Sequence, residues 1–139
     1  MKQKNLKRTL TAALLTLVAT AAYSQANALT AKIPFAFRAV GSDLPAGRYR
    51  VARAAGTDWA TELRNLDTGK AVVIMAKAPI KDSADVRPRL IFRCGGEEGC
   101  SLISLRSGTG SGFEFSTPAL TASQRERRET IYLDRYKGK

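Results

Sequence analysis

Histidine is absent from all 139 residues of the chain. That removes the commonest general acid–base group, the commonest metal-binding side chain and every Ser-His-Asp or Cys-His nucleophile arrangement. Cysteine is nearly absent: Cys94 and Cys100 are the only two. Without a third cysteine or a histidine they do not complete a zinc site. No apolar run after Ala28 is long enough to span a bilayer as a helix. Close carboxylates are also scarce, with Asp82 near Asp85 and Glu97 beside Glu98. Neither group has the ligand density of a calcium loop or the context of a glycosidase pair, so both read as solvated loop acids. A hydrolase built on them is disfavoured. The expectation is a protein that is not an enzyme and carries no cofactor or metal.

What is present begins with an export signal. Lys2, Lys4, Lys7 and Arg8 form a basic start without an acid among them, and an apolar stretch from Leu10 to Ala22 follows, broken only by threonines. Small residues then sit at cleavage spacing, as Ser24-Gln25-Ala26 or Ala26-Asn27-Ala28. A spanning helix takes about 20 apolar residues, more than this run supplies. A core helix would show a single apolar stripe, whereas this stretch is apolar all round. The expected signal peptide covers residues 1–28, cleaved after Ala26 or Ala28, and sends the protein to the periplasm or outside the cell.

The chain carries 23 basic and 12 acidic residues. Four of the basic residues and none of the acids lie in the signal, which leaves 19 − 12 = +7 on the exported part. An exported basic protein meets envelope lipids, polysaccharides and acidic partners rather than the chromosome. Its charges are spread along strands instead of being interleaved with aromatics in one patch, which argues against nucleic acid. The expected partner is an envelope protein or an anionic envelope polymer; a merely solvated surface would use the same charges.

About 110 residues remain after export, enough for one domain. Lys32–Arg38 alternates, with Ile33, Phe35 and Phe37 on one face and Pro34 suggesting an edge or a strand start. Leu44-Pro45-Ala46-Gly47 makes a turn, and Arg48–Arg53 alternates again with Tyr49 and Val51 inward. Trp59, Thr61 and Leu63 share a strand face, Asn65–Gly69 reverses the chain, and Lys70–Ala78 reads as a buried strand. Pro79–Pro88 is a polar loop, and Arg89–Cys94 and Cys100–Arg106 form a hairpin. Phe113–Phe115 is a short strand, and Thr121–Asp134 reads as a helix with Thr121 and Gln124 as a capping box. These short spacings predict an all-β antiparallel meander, a barrel or sandwich of about six to seven strands with a short C-terminal helix. The β domain is placed at 29–120, and the helix with its basic tail at 121–139.

Cys94 and Cys100 end a glycine-rich hairpin loop, where facing positions come within bonding distance. A structural disulfide is favoured there over a redox pair, which more often takes the form Cys-x-x-Cys at a helix start. Phe35, Phe37, Tyr49, Val51, Trp59 and Leu63 either fill a core or line a cavity for an apolar ligand. Filling is favoured at this length, since a useful lumen takes about eight strands.

Ile33-Pro34-Phe35-Ala36-Phe37, followed by Leu44-Pro45-Ala46-Gly47-Arg48-Tyr49-Arg50-Val51, resembles the start of small exported proteins common in Acidobacteria. Asn65–Ala71, Leu90–Arg93 and Ser123–Arg127 fall in the same order as in those proteins. The resemblance implies a signal peptide and a compact β domain, and brings no catalytic or binding residue with it. The cysteine-closed loop stands where an aromatic-rich hairpin is expected.

Overall fold

The computed structural model describes residues 28–84, 86–95, 99–119 and 126–137. The segment read as a signal peptide therefore lies outside them, apart from Ala28, and so do Asp85, Glu97, Glu98, Thr121 and Gln124. The described chain is all-β. In order the strands are β1 (Leu29–Ile33), β2 (Phe37–Ala39), β3 (Ser42–Leu44), β4 (Gly47–Arg53), β5 (Ala60–Asn65) and β6 (Ala71–Met75). Then come β7 (Ala78–Lys81), β8 (Arg89–Cys94), β9 (Cys100–Arg106), β10 (Ser111–Glu114), β11 (Arg127–Tyr132) and β12 (Asp134–Arg135). One sheet runs β12-β1-β4-β5-β6. The other runs β11-β8-β9-β10-β7, with β2 parallel to the start of β9 and β3 outside β2.

The two sheets bury one core. Ile33, Tyr49, Val51, Leu63 and Ile74 from the first meet Phe37, Leu90, Phe92, Leu102 and Phe115 from the second. Phe37 is the junction: its ring lies edge-on to Tyr49 at 5.3 Å and to Phe92 at 5.3 Å. Burying each large side chain of this kind contributes roughly 1.5–3 kcal/mol. A bulge between Ile91 and Phe92 sets Leu90 opposite Leu105 and Phe92 opposite Leu102, so both pairs face inward where an unbroken ladder would turn one outward.

The sheets do not close into a barrel, because β6 and β7 follow one another yet pair with β5 and β10 respectively. The strands are also more numerous and shorter than expected. Lys32–Arg38 is not one strand: Pro34 lies in a break, with Ile33 ending β1 in one sheet and Phe37 opening β2 in the other. The start of the predicted polar loop Pro79–Pro88, as far as Lys81, belongs to strand β7, which pairs with β10.

No C-terminal helix forms over the described part of residues 121–139. Arg127–Tyr132 pairs in full with β8, and Leu133, buried, carries the chain across to β12 beside β1. Thr130, Ile131 and Tyr132 have β-branched or aromatic side chains suited to a strand, and the free edge of β8 gives them a partner. The close alternation of charges in this segment resembles a helical surface but is that of an edge strand. The hairpin β8–β9 forms as expected, with Cys94 opposite Cys100 and their sulfurs bonded at 2.05 Å.

Candidate functional site

The alternation that turns Ala31, Ile33, Tyr49, Val51 and Leu63 inward places Lys32, Arg48, Arg50 and Arg64 on the outer face of the five-stranded sheet. The register sets Lys32 opposite Arg48 and Arg50 opposite Arg64. Two like-charged pairs therefore lie side by side across β1, β4 and β5. Like charges directly opposite on one sheet face cost stability. Two carboxylates offset part of that cost. Glu62 Oε1 lies 3.6 Å from Arg50 and 3.1 Å from Arg64, and Asp67 Oδ1 lies 3.0 Å from Arg48. Lys32 has no ion pair among the described residues. Arg50 stacks over the ring of Tyr136 at 5.6 Å, and its Nε is buried without a hydrogen-bond partner.

Beside Lys32 and Arg48 the surface dips into an open depression of about 440 Å³, floored by Ile33, Pro34 and Gly47 and flanked by Asp67. Two turns meet there. Asn65, buried at the end of β5, accepts the amide N–H groups of Asp67 and Thr68 on its Oδ1 at 2.8 and 3.0 Å. Its Nδ2 donates to the Tyr49 hydroxyl at 3.3 Å, which donates to the Pro45 carbonyl at 2.6 Å. Gly47 lies under this junction; a Cβ there would sit 3.3 Å from both Asn65 Nδ2 and Asp67 Oδ2. The Arg48 carbonyl accepts the N–H of Leu66 at 2.8 Å, which completes the link between turns.

This buried network raises the Tyr49 pKa: burial is the main cause, the Asn65 hydrogen bond opposes it, and the Asp67 charge adds to it. Hydrogen bonds from the Arg48 side chain and backbone hold Asp67 below the ordinary carboxylate range. The Asp67 carboxylate on the rim thus stays ionised at neutral pH and tied to Arg48.

Of the residues proposed from sequence to line a cavity or fill a core, Phe37, Tyr49, Val51 and Leu63 are buried in the core, and Phe35 packs on it edge-on to Phe92 at 5.1 Å. Trp59 stands apart, 48% exposed and leaning on Phe113 at 6.3 Å. Lys70–Ala78 is not the buried strand expected: Val73 and Met75 are 58% and 54% exposed on β6.

Asp82 is not the solvated loop acid expected. Its side chain is 12% exposed and bridges Arg89 at 3.2 Å and Arg106 at 4.0 Å, two arginines directly opposite on β8 and β9. Partial desolvation works to raise its pKa, but the Ser83 amide and the two arginines hold it below the ordinary range. The alternation around Arg89 and Arg106 gives their facing; nothing local to Asp82 signals that it folds back over them. Among the described residues no group of histidine, cysteine or carboxylate side chains is placed to hold a metal ion, and no helix is long and apolar enough to cross a membrane. No family model, curated protein or solved structure matches the chain.

Proposed function

We propose that the protein is an exported, non-catalytic β domain that binds an anionic polymer of the cell envelope on the outer face of its five-stranded sheet. The observation that carries this reading is the pair of opposed like charges, Lys32 with Arg48 and Arg50 with Arg64. Such an arrangement costs the free protein stability and gains when anionic groups lie across it. Three of the four are arginines, whose planar forks bind phosphate or carboxylate through two hydrogen bonds. The open depression beside Lys32 takes one acidic group, and the neighbouring row takes the next along the polymer.

The Cys94–Cys100 disulfide is compatible with an oxidising compartment outside the cytoplasm. Ala28 supports cleavage after Ala26: it is 1% exposed, and its carbonyl accepts the N–H of Tyr136 at 2.9 Å. Cleavage after Ala28 would remove this contact. The apolar-carrier reading has less support, since five of its six candidate lining residues, all but Trp59, pack in or against the core. Binding of the purified protein to immobilised phosphate-bearing and carboxylate-bearing polysaccharides, measured across a salt series, tests the proposal. Lys32→Gln with Arg64→Gln is expected to weaken retention and flatten its salt dependence. Retention unchanged by that pair would count against the reading.

A further inference from the structure

The five-stranded sheet ends at β6, and this edge differs from the others. Soluble proteins keep edge strands from pairing by shortness, proline or charge. Strand β12 is two residues long, β3 is three residues long and carries Asp43, β7 carries Pro79 and ends in Lys81, and β11 carries Arg127, Arg128 and Glu129. The β6 sequence, Ala-Val-Val-Ile-Met, has neither proline nor charge.

Which of its backbone groups face outward follows from the register. Asn65 N–H donates to the Lys70 carbonyl at 2.8 Å, and Ala76 N–H donates to the Trp59 carbonyl at 2.8 Å. Both bonds continue the ladder that sets Arg64 opposite Ala71 and Ala60 opposite Met75. Bonded and non-bonded pairs alternate along an antiparallel ladder. Val72 and Ile74 therefore bond to β5, while the N–H and C=O groups of Ala71, Val73 and Met75 point away from it. Among the described residues no strand pairs with that side.

We propose that this edge takes up an extended segment of another protein as an added strand, apolar at its centre and carrying a carboxylate at each end. The charges select the occupant. Lys70 and Lys77 flank the uncharged stretch, and neither has an ion pair among the described residues. Antiparallel pairing of two copies through these outward groups centres on Val73 opposite Val73 and sets Lys70 opposite Ala76 and Lys77 opposite Gly69, so a second copy offers neither lysine a carboxylate. A segment with carboxylates facing Lys70 and Lys77 supplies both partners. Main-chain bonds to Ala71, Val73 and Met75 supply the affinity, and the flanking charges supply the selectivity.

The test uses the purified protein and two short peptides of alternating valine and threonine, one ended by glutamate at both termini and one by lysine. The glutamate-ended peptide is expected to slow amide exchange at Ala71, Val73 and Met75, and the lysine-ended peptide to bind at least about tenfold more weakly. Val73→Pro removes one outward N–H while leaving the β5 bonds in place, and is expected to weaken the preferred peptide by about tenfold or more. Lys70→Glu with Lys77→Glu is expected to invert the preference between the peptides, a result that an unfolded variant would not give. Three results would overturn the proposal: no protection of β6 by either peptide, no change of preference on charge reversal, or protection that rises with protein concentration alone and reports a second copy.

Discussion

Tyr49 and Asn65 tie two distant turns together through single atoms. Replacing Tyr49 with phenylalanine removes the bond to the Pro45 carbonyl and leaves Asn65 Nδ2 without its buried acceptor. The expected cost is about 1 kcal/mol, read as a lower urea midpoint with unchanged slope. The same residues set two pH limbs. Tyr49 titrates above its ordinary 10.0 in the folded protein, so its stabilisation is complete below pH 10 and is lost as pH rises through the folded value. Asp67 and Asp82 titrate below their ordinary 3.8, so their stabilisation is present above that value and is lost as pH falls through the folded ones. Asp67→Asn is expected to flatten the acid limb of a thermal-melt series and to weaken the alkaline limb without removing it, since burial is the main cause of the Tyr49 shift. The facing of Tyr49, Arg48 and Lys32 was legible in the sequence because strand alternation is a local property. The bridge from Asp82 to Arg89 and Arg106 was not, because it depends on how the 82–88 connection crosses strands that are distant in sequence.

At the scale of elements, the disulfide pins one hairpin. It closes a ring spanning a sequence separation of 6, for which the loop-entropy relation gives on the order of 2–2.5 kcal/mol. Cys94→Ala with Cys100→Ala is expected to lower the melting temperature accordingly, without a change in the β signature of circular dichroism. Gly112 makes a separate demand: a Cβ there would lie 2.4 Å from the Leu105 carbonyl oxygen on the neighbouring strand. Gly112→Ala is expected to destabilise by about 1–3 kcal/mol, because β9 and β10 must separate to admit it. The hairpin was readable from Cys94, Cys100 and the glycines between them, since turn chemistry is local. The C-terminal strand was misread as a helix because charges at close spacing fit both; the free edge of β8 decides, and only the assembled sheet reveals it. The break at Pro34 was half legible: proline marked a strand end, but nothing local told that Ile33 and Phe37 join different sheets.

For the molecule as a whole, two sheets share one core and leave two outer faces to solvent. The face built by β1, β4 and β5 concentrates Lys32, Arg48, Arg50 and Arg64 with only Glu62 and Asp67 among them. Net charge counted from sequence signals basicity, and the register turns it into a surface with rows. The export reading makes its own prediction at this scale: mass spectrometry of protein recovered outside the cytoplasm should give a chain beginning at Asn27, and one beginning at Leu29 would contradict the structural place given to Ala28. The most direct test of the central claim is the salt dependence of binding to an immobilised phosphate-bearing envelope polysaccharide. It compares the native protein with Lys32→Gln/Arg64→Gln and with a control pair on the other sheet, Arg127→Gln/Arg128→Gln. The account predicts that the first pair reduces the slope of log affinity against log salt by about one unit per cation removed, and that the control pair leaves it near the native value. Equal losses from both pairs would show attraction by net charge alone and contradict a binding face on the five-stranded sheet.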